Sequence, residues 1–96
     1  MKVKDITFAE TFWDDYEAAS VEARRTLDRK VKVILDQQRL IPSLKTHSAV
    51  KVDILIGWVT VGNPAWRIWF TVSKDHTMEI KRFMKHRLQD RLLGRR

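Results

Sequence analysis

The hydrophobic pattern of this chain changes its period at Pro42, and this change constrains the fold more than any other feature. Before Pro42, apolar residues recur every three or four positions, which is the spacing of an amphipathic helix. After Pro42, apolar and polar residues alternate or the apolar residues run together, as they do in β-strands. We therefore expect helices first and most of the sheet second.

The N-terminal part predicts one short strand and two helices. Residues 3–6 can form the strand. Thr7 and Glu10 have the spacing of a capping box, in which each side chain bonds the backbone N–H of the other residue. A helix is predicted over residues 8–19, and a second helix, capped by Ser20, is predicted to run to about residue 38.

The C-terminal part predicts four strands and a short helix. Residues 43–52 alternate loosely, and residues 53–61 are nearly all apolar, as in a central strand buried on both faces. Residues 65–72 alternate most clearly. Residues 77–83 form the last predicted strand, and residues 84–93 a short basic helix or tail.

The predicted order is β-α-α-β-β-β-β, with a short C-terminal helical segment. Two helices on one face of a mainly antiparallel sheet make an α+β two-layer fold. The 96 residues have the length of one domain, residues 1–96. The chain has no Cys, which fits a reducing compartment. It has no apolar run long enough for a membrane span and no secretory leader, so we expect no membrane partner and a cytoplasmic location.

The charge is unevenly distributed along the chain. The net charge is +7, but residues 1–23 hold two Lys and six acidic residues, a net of −4. Residues 24–96 hold seventeen basic and six acidic residues, a net of +11. A compact domain with one strongly positive portion is a candidate for binding a polyanion such as RNA. The simpler interpretation is a surface kept soluble by Lys and Arg.

The sheet face opposite the helices is the predicted functional surface. If Leu44, Val50, Trp66 and Ile68 face the helices, the residues that alternate with them face away. These are Lys45, His47, Lys51, Arg67 and Trp69, followed at the exit of the last strand by Lys85, His86 and Arg87. On an open face, cations can hold phosphates, an aromatic ring can stack on a base, and His can move protons near neutral pH.

Each of these residues also has a simpler interpretation. A lone His such as His47 is usually a polar strand residue, and strand-edge lysines are usually solvated. Arg67 can stack on Trp69 or pair with an acid instead of holding phosphate. The aromatic residues of this strand, and Trp58, fit a core better than a base platform. The sequence has no Gly-rich phosphate loop and no metal-ligand spacing, so we expect neither a cofactor nor a metal.

The order and spacing of these segments resemble the RelE/ParE superfamily of toxins from bacterial toxin–antitoxin pairs. A helical hairpin is followed by Ile41-Pro42-Ser43-Leu44-Lys45-Thr46-His47, Gly57-Trp58-Val59, Trp66-Arg67-Ile68-Trp69-Phe70 and a basic end around His86. The resemblance covers nearly the whole chain. It implies a small α+β toxin that a cognate antitoxin holds inactive.

The resemblance implies one of two activities. RelE-like members cut mRNA on the ribosome, where the ribose 2′-hydroxyl attacks the adjacent phosphate. ParE-like members inhibit DNA gyrase by protein contact and are not nucleases. In the first case Arg67 matches the strand Arg that contacts the phosphate, and His47 or His86 is expected to transfer protons. The lysines at 45, 51 and 85, with Arg87 and Trp69, are expected to bind the RNA.

One departure from the nuclease pattern favours the second activity. Many nuclease members carry a Tyr near the C-terminus, whereas the only Tyr of this chain is Tyr16, in the first predicted helix. Leu88 and Leu92 occupy the terminal region instead. Asp90 is the only nearby acid that could act as a base, if it turns inward. A third alternative is a basic RNA-binding module with no toxic role.

Overall fold

The computed structural model of the chain describes residues 1–49, 53–62 and 64–94. In these ranges three helices accompany one five-stranded sheet with the strand order β1-β5-β4-β3-β2. The strands are β1 (Asp5–Phe8), β2 (His47–Ser48), β3 (Leu55–Trp58), β4 (Trp66–Val72) and β5 (Thr77–Lys85), and the helices are α1 (Glu10–Ala18), α2 (Val21–Gln37) and α3 (His86–Leu92). Only β1 pairs in parallel, with β5. The predicted α+β fold and its element order are confirmed.

The helices α1 and α2 cover one face of the sheet and build the core with it. Alternate residues of β4, namely Trp66, Ile68 and Phe70, are buried on this face, as predicted. They meet Phe12 of α1 and Leu27 of α2, which are each 1% exposed. The pairing of β4 with β5 shifts after Trp69, where Lys81 is an extra residue. This bulge brings Phe83 opposite Ile68 and back onto the core face.

The second helix begins as predicted, but the capping box is wrong. The Ser20 side chain accepts a hydrogen bond from the Ala23 N–H at 3.1 Å. Thr7, in contrast, lies in β1, which extends to Phe8, and α1 begins only at Glu10. The reason is tertiary: β1 pairs with β5, and the backbone groups of the predicted cap are used in the sheet.

The predicted strand over residues 43–52 is largely replaced by other structure. Pro42–Leu44 form a 3-10 turn, and β2 contains only two residues. Lys45 ends the turn in the left-handed conformation, with φ 45°, which an extended strand does not allow. Leu44 is nonetheless fully buried, as expected. Val50 and Lys51 lie outside the described residues.

The second face of the sheet is partly covered, although the sequence predicted it to be open. The helix α3 folds back across β4 and β5, and its Gln89 is 1% exposed. Trp69 Nε1 donates a hydrogen bond to Gln89 Oε1 at 3.2 Å. Ile56 of β3, on the same face, is fully buried. Within the described ranges, no helix combines the length and apolar character needed to cross a bilayer.

Candidate RNA-binding and catalytic site

Two cations converge on one aromatic ring on the second face of the sheet. The guanidinium carbon of Arg67 lies 4.4 Å from the centre of the Trp58 ring, and Lys45 Nζ lies 4.8 Å from it. Both distances are in the range of cation–π attraction. We call Lys45, Trp58 and Arg67 the Trp58 cluster. It brings together two of the predicted site residues around a Trp that the sequence had assigned to the core.

The cluster follows from strand pairing and from the turn before β2. Trp58 of β3 lies directly opposite Arg67 of β4, so their side chains share one face. Lys45 reaches the same ring from the end of the 3-10 turn, where its N–H donates to the Pro42 carbonyl at 3.0 Å. Residues far apart in the sequence are thus held together by backbone pairing.

Arg67 is buried, which corrects the expectation that its guanidinium lies on an open face. The residue is 6% exposed. Its Nη1 donates to the carbonyls of Thr60 at 2.9 Å and Trp66 at 3.0 Å. Burial lowers the pKa of Arg67, and the negative charge of Asp90 acts in the opposite direction. Nε and Nη2 donate to no group in the described part of the chain.

His86 and Asp90 bring the start of α3 next to this cluster. His86 Nε2 lies 3.2 Å from Asp90 Oδ2, one helical turn away. His86 Nδ1 is buried and has no hydrogen-bond partner among the described residues. Asp90 therefore pairs with His86, and its negative charge also favours the charged form of Arg67. The His86 side chain is 44% exposed, and its Nε2 is occupied by Asp90 in this conformation.

His47 and Trp69 lie on the same face, in the next row of side chains. Both flank Ile56: His47 is opposite it in β2, and Trp69 is opposite it in β4. His47 is exposed, and its Nδ1 is 3.3 Å from the Lys45 carbonyl oxygen. Trp69 is half-buried and is held by Gln89. His47 is thus the more exposed of the two histidines that the sequence singled out.

The other predicted RNA-binding residues are not in the Trp58 cluster. Lys85 pairs with Trp66 and therefore points to the opposite face, where its Nζ is 5.9 Å from the Trp66 ring centre. Lys85, His86 and Arg87 line a cleft of about 320 Å³ with the turn around Gly62. Lys51 lies outside the described residues.

Lys30 is a supporting residue that the sequence reading missed. Its Nζ donates to Ser43 Oγ at 3.1 Å and to the Trp58 carbonyl at 3.3 Å. It therefore ties α2 to two of the three segments that carry the Trp58 cluster, the 3-10 turn and β3. Burial lowers the pKa of Lys30. A signal was present, because Lys30 lies three residues after Leu27 and four before Ile34, beside the buried stripe of the helix.

No group of three or more His, Asp or Glu in the described ranges is arranged to hold a metal ion. The cluster itself consists of cationic and aromatic groups. Such groups neutralise phosphate charge and stack on bases or on one another. The chemistry that fits them is the binding of a phosphate-containing ligand.

Comparison with solved structures identifies the fold. The chain superposes on a chain of the intact E. coli RelBE toxin–antitoxin complex with a TM-score of 0.60, at 13% identity over 88% of this chain and 96% of that one. It matches a double arginine-to-alanine mutant of the E. coli toxin RelE in the free state with a TM-score of 0.64, at 14% identity over 94% and 90%. The isolated E. coli RelE toxin gives a TM-score of 0.57, at 11% identity over 96% of each chain.

This protein therefore has the fold of a bacterial toxin from a toxin–antitoxin system. More specifically, it has the RelE toxin fold, as the resemblance in sequence implied. No protein-family profile matches the chain, and no curated protein matches it significantly.

Proposed function

We propose that this protein is the toxin of a toxin–antitoxin pair and that it cleaves mRNA on the ribosome. The RelE fold supports the first part of the proposal. The second part rests on one observation: Arg67 is held against Trp58 by two backbone carbonyls, with Lys45 on the same ring. A fixed guanidinium beside a second cation suits a phosphate whose negative charge grows during the reaction.

In the proposed reaction the ribose 2′-hydroxyl attacks the adjacent phosphate. A bond forms between the 2′-oxygen and phosphorus while the bond from phosphorus to the 5′-oxygen breaks, leaving a cyclic phosphate and a 5′-hydroxyl. Arg67 and Lys45 stabilise the charge on the phosphorane. His47, exposed on the same face, takes the 2′ proton or protonates the leaving oxygen. No metal is needed for these steps.

His86 enters this scheme only after a rearrangement. Its Nε2 faces Asp90 and its Nδ1 is buried, so the contact between His86 and Asp90 must open before the ring can donate a proton to RNA or accept one from it. We assign it the second proton transfer on that condition. Lys51, Lys85, Arg87 and Trp69 bind the RNA beyond the scissile phosphate, as the resemblance implies.

A cognate antitoxin and the ribosome are the proposed partners. One of the matching structures is a chain of a toxin–antitoxin complex, and it spans almost the same length as this chain. The antitoxin of this protein would hold it inactive in the cytoplasm, where ribosomes and mRNA are present. A short acidic gene beside this one would encode that antitoxin.

Inhibition of DNA gyrase is the alternative, and two observations favour it. The chain has no Tyr after Tyr16, and its strand Arg, Arg67, is only 6% exposed. A protein that blocks gyrase by contact needs neither a catalytic Tyr nor an exposed guanidinium. A non-toxic RNA-binding module is the remaining alternative.

Purified protein separates these functions. The protein is added to ribosomes translating a defined message, and the RNA ends are mapped, while gyrase supercoiling is measured in parallel. Cuts that need both protein and ribosome support the proposal. Loss of supercoiling without cuts would support the gyrase alternative, and RNA binding with neither effect would support the non-toxic module.

A further inference from the structure

An apolar groove runs between α1 and α2, on the helical side of the molecule. It has a volume of about 230 Å³ and is lined mainly by aromatic and aliphatic side chains: Phe8, Phe12, Trp13, Tyr16, Leu27 and Val31. Trp13 at its edge is 50% exposed. Large aromatic side chains such as Trp13 are enriched where one protein chain contacts another.

The border of this groove carries more acidic than basic side chains, although the Arg24 guanidinium lies 5.7 Å from the centre of the Tyr16 ring. The helix α1 has four acidic residues and no basic one. Glu17, four residues after Trp13 and so on the same side of α1, is exposed. Asp28 of α2 lines the groove itself, where it accepts a hydrogen bond from the Tyr16 hydroxyl at 2.9 Å. A segment that fills the groove should therefore carry basic side chains next to its apolar ones.

The helix α3 of the same chain has this composition on its outer surface. Leu88 and Leu92, four residues apart, are 41% and 52% exposed. Arg87 and Arg91 are exposed beside them, also four residues apart. Residues at this spacing lie on one side of a helix, about 5–6 Å from each other. The outer surface of α3 is thus an apolar pair bordered by a basic pair.

The two surfaces lie on opposite sides of the sheet. The groove lies on the face that packs against Phe12 and Leu27, whereas α3 lies on the face of Arg67 and Trp69. One folded chain therefore has no means of filling its own groove with its own α3. Two copies can make the contact, in the manner of a helix that places its apolar side chains in a groove.

We propose that this protein associates with itself, the outer surface of α3 of one copy docking in the α1–α2 groove of the next. Leu88 and Leu92 enter the groove against Trp13. Arg87 and Arg91 pair with Glu17 and Asp28 at its border. Because the two surfaces differ, the contact is head-to-tail, and it either closes into a ring or continues as a chain. The proposal goes beyond the proposed enzymatic activity and shares one residue with it, Arg87.

Charge reversal tests this contact without disturbing the core. The groove variant is Glu17→Lys with Asp28→Lys, and the helix variant is Arg87→Glu with Arg91→Glu. All four residues are exposed. Sedimentation velocity is measured over a range of protein concentrations for the wild type, for each variant and for their equimolar mixture. We expect the wild type to associate and each variant alone to associate roughly tenfold or more weakly, because like charges then face each other.

The mixture gives the sharpest result. In it, every groove can meet a helix of opposite charge, so association should return. The control, Arg25→Glu with Lys32→Glu, changes the net charge as much as the helix variant does, but at exposed positions of α2 outside the groove. It should associate at least as strongly as the wild type.

Four outcomes would overturn the proposal. They are a wild type that remains monomeric at every concentration, variants that still associate, a mixture that remains dissociated, and a control that loses association like the helix variant. A monomeric wild type would mean that the groove serves another partner, such as an antitoxin helix. Circular dichroism of each variant confirms that it is folded.

Discussion

The guanidinium of Arg67 lies over the ring of Trp58, with its central carbon 4.4 Å from the ring centre. The two residues are direct neighbours across β3 and β4, and the carbonyls of Thr60 and Trp66 hold Nη1. The position of the charge is therefore set by the sheet before any ligand arrives. Such preorganisation is what makes a cation effective at a developing negative charge.

Arg67 should contribute to stability as well as to the site. Arg67→Ala leaves the Thr60 carbonyl without this donor and removes the stacking on Trp58. We expect the free energy of unfolding to fall by about 1–3 kcal/mol, measured by denaturant titration. The control is Lys45→Ala, an exposed member of the same cluster, with an expected change within about 0.5 kcal/mol. Equal stabilities for Arg67→Ala and the wild type would show that these contacts are not formed in solution.

The assignment of faces in β4 can be tested at Ile68. This residue is 1% exposed and lies in the core between β4 and the helices. Ile68→Ala should lower the free energy of unfolding by about 2–5 kcal/mol because it leaves a cavity. Val61→Ala, at a site that is 69% exposed, is the matched control and should change it little. A small effect at Ile68 would indicate that the two faces are reversed.

Much of the fold could be predicted from the sequence because periodicity reports burial directly. The alternation in β4 placed Trp66 and Ile68 in the core, and Ser20 marked the start of α2. The prediction was wrong where distant pairing overrides local preference. Thr7 and Glu10 fit a capping box, yet β1 continues through Thr7 because β5 pairs with it. No local pattern contains that information.

The burial of Arg67 was missed for a related reason, although a signal was present. The run around Ile56 is apolar on both faces of its strand, which requires cover on both sides. The two N-terminal helices cover one side only, so another element must cover the other. That element is α3, whose Gln89 is 1% exposed. The composition of α3 is basic, which suggests an exposed helix, so the burial of the Gln89 side-chain amide against the sheet is difficult to predict from it.

The supporting role of Lys30 predicts a pH dependence. Burial lowers the pKa of Lys30 in the folded protein. At a pH between this lowered pKa and the higher pKa of the unfolded chain, Lys30 is protonated more fully in the unfolded chain than in the folded one. The free energy of unfolding must then rise with pH over that window, which ends near the ordinary lysine pKa of about 10.4. Lys30→Met removes this titration and the bonds to Ser43 and Trp58.

The measurement compares denaturant titrations of wild type and Lys30→Met at neutral and alkaline pH. We expect the stability of the wild type relative to the variant to increase as the pH rises. A relative stability that stays constant or decreases would show that Lys30 is not buried as described. Lys32→Met, at an exposed position of the same helix, controls for loss of a charge.

Binding to the ribosome should depend strongly on salt. Each phosphate that a cation neutralises releases counterions, so the logarithm of affinity falls linearly with the logarithm of salt concentration. Lys45→Gln should reduce that slope by about one, whereas Lys74→Gln, in the exposed turn before β5, should leave it unchanged. A wild-type affinity that does not respond to salt would contradict a phosphate-binding face.

The most direct test of the proposed function is the rate of ribosome-dependent mRNA cleavage by the wild type and by Arg67→Lys. Lysine keeps the charge but loses the planar group with several donors, so it should recover little of the stabilisation of the phosphorane. We expect the wild type to make discrete cuts and Arg67→Lys, once shown to be folded, to make them about 10²–10³ times more slowly. Undiminished cutting by Arg67→Lys would contradict the role of Arg67, and a wild type that arrests growth without cutting would contradict the nuclease function itself.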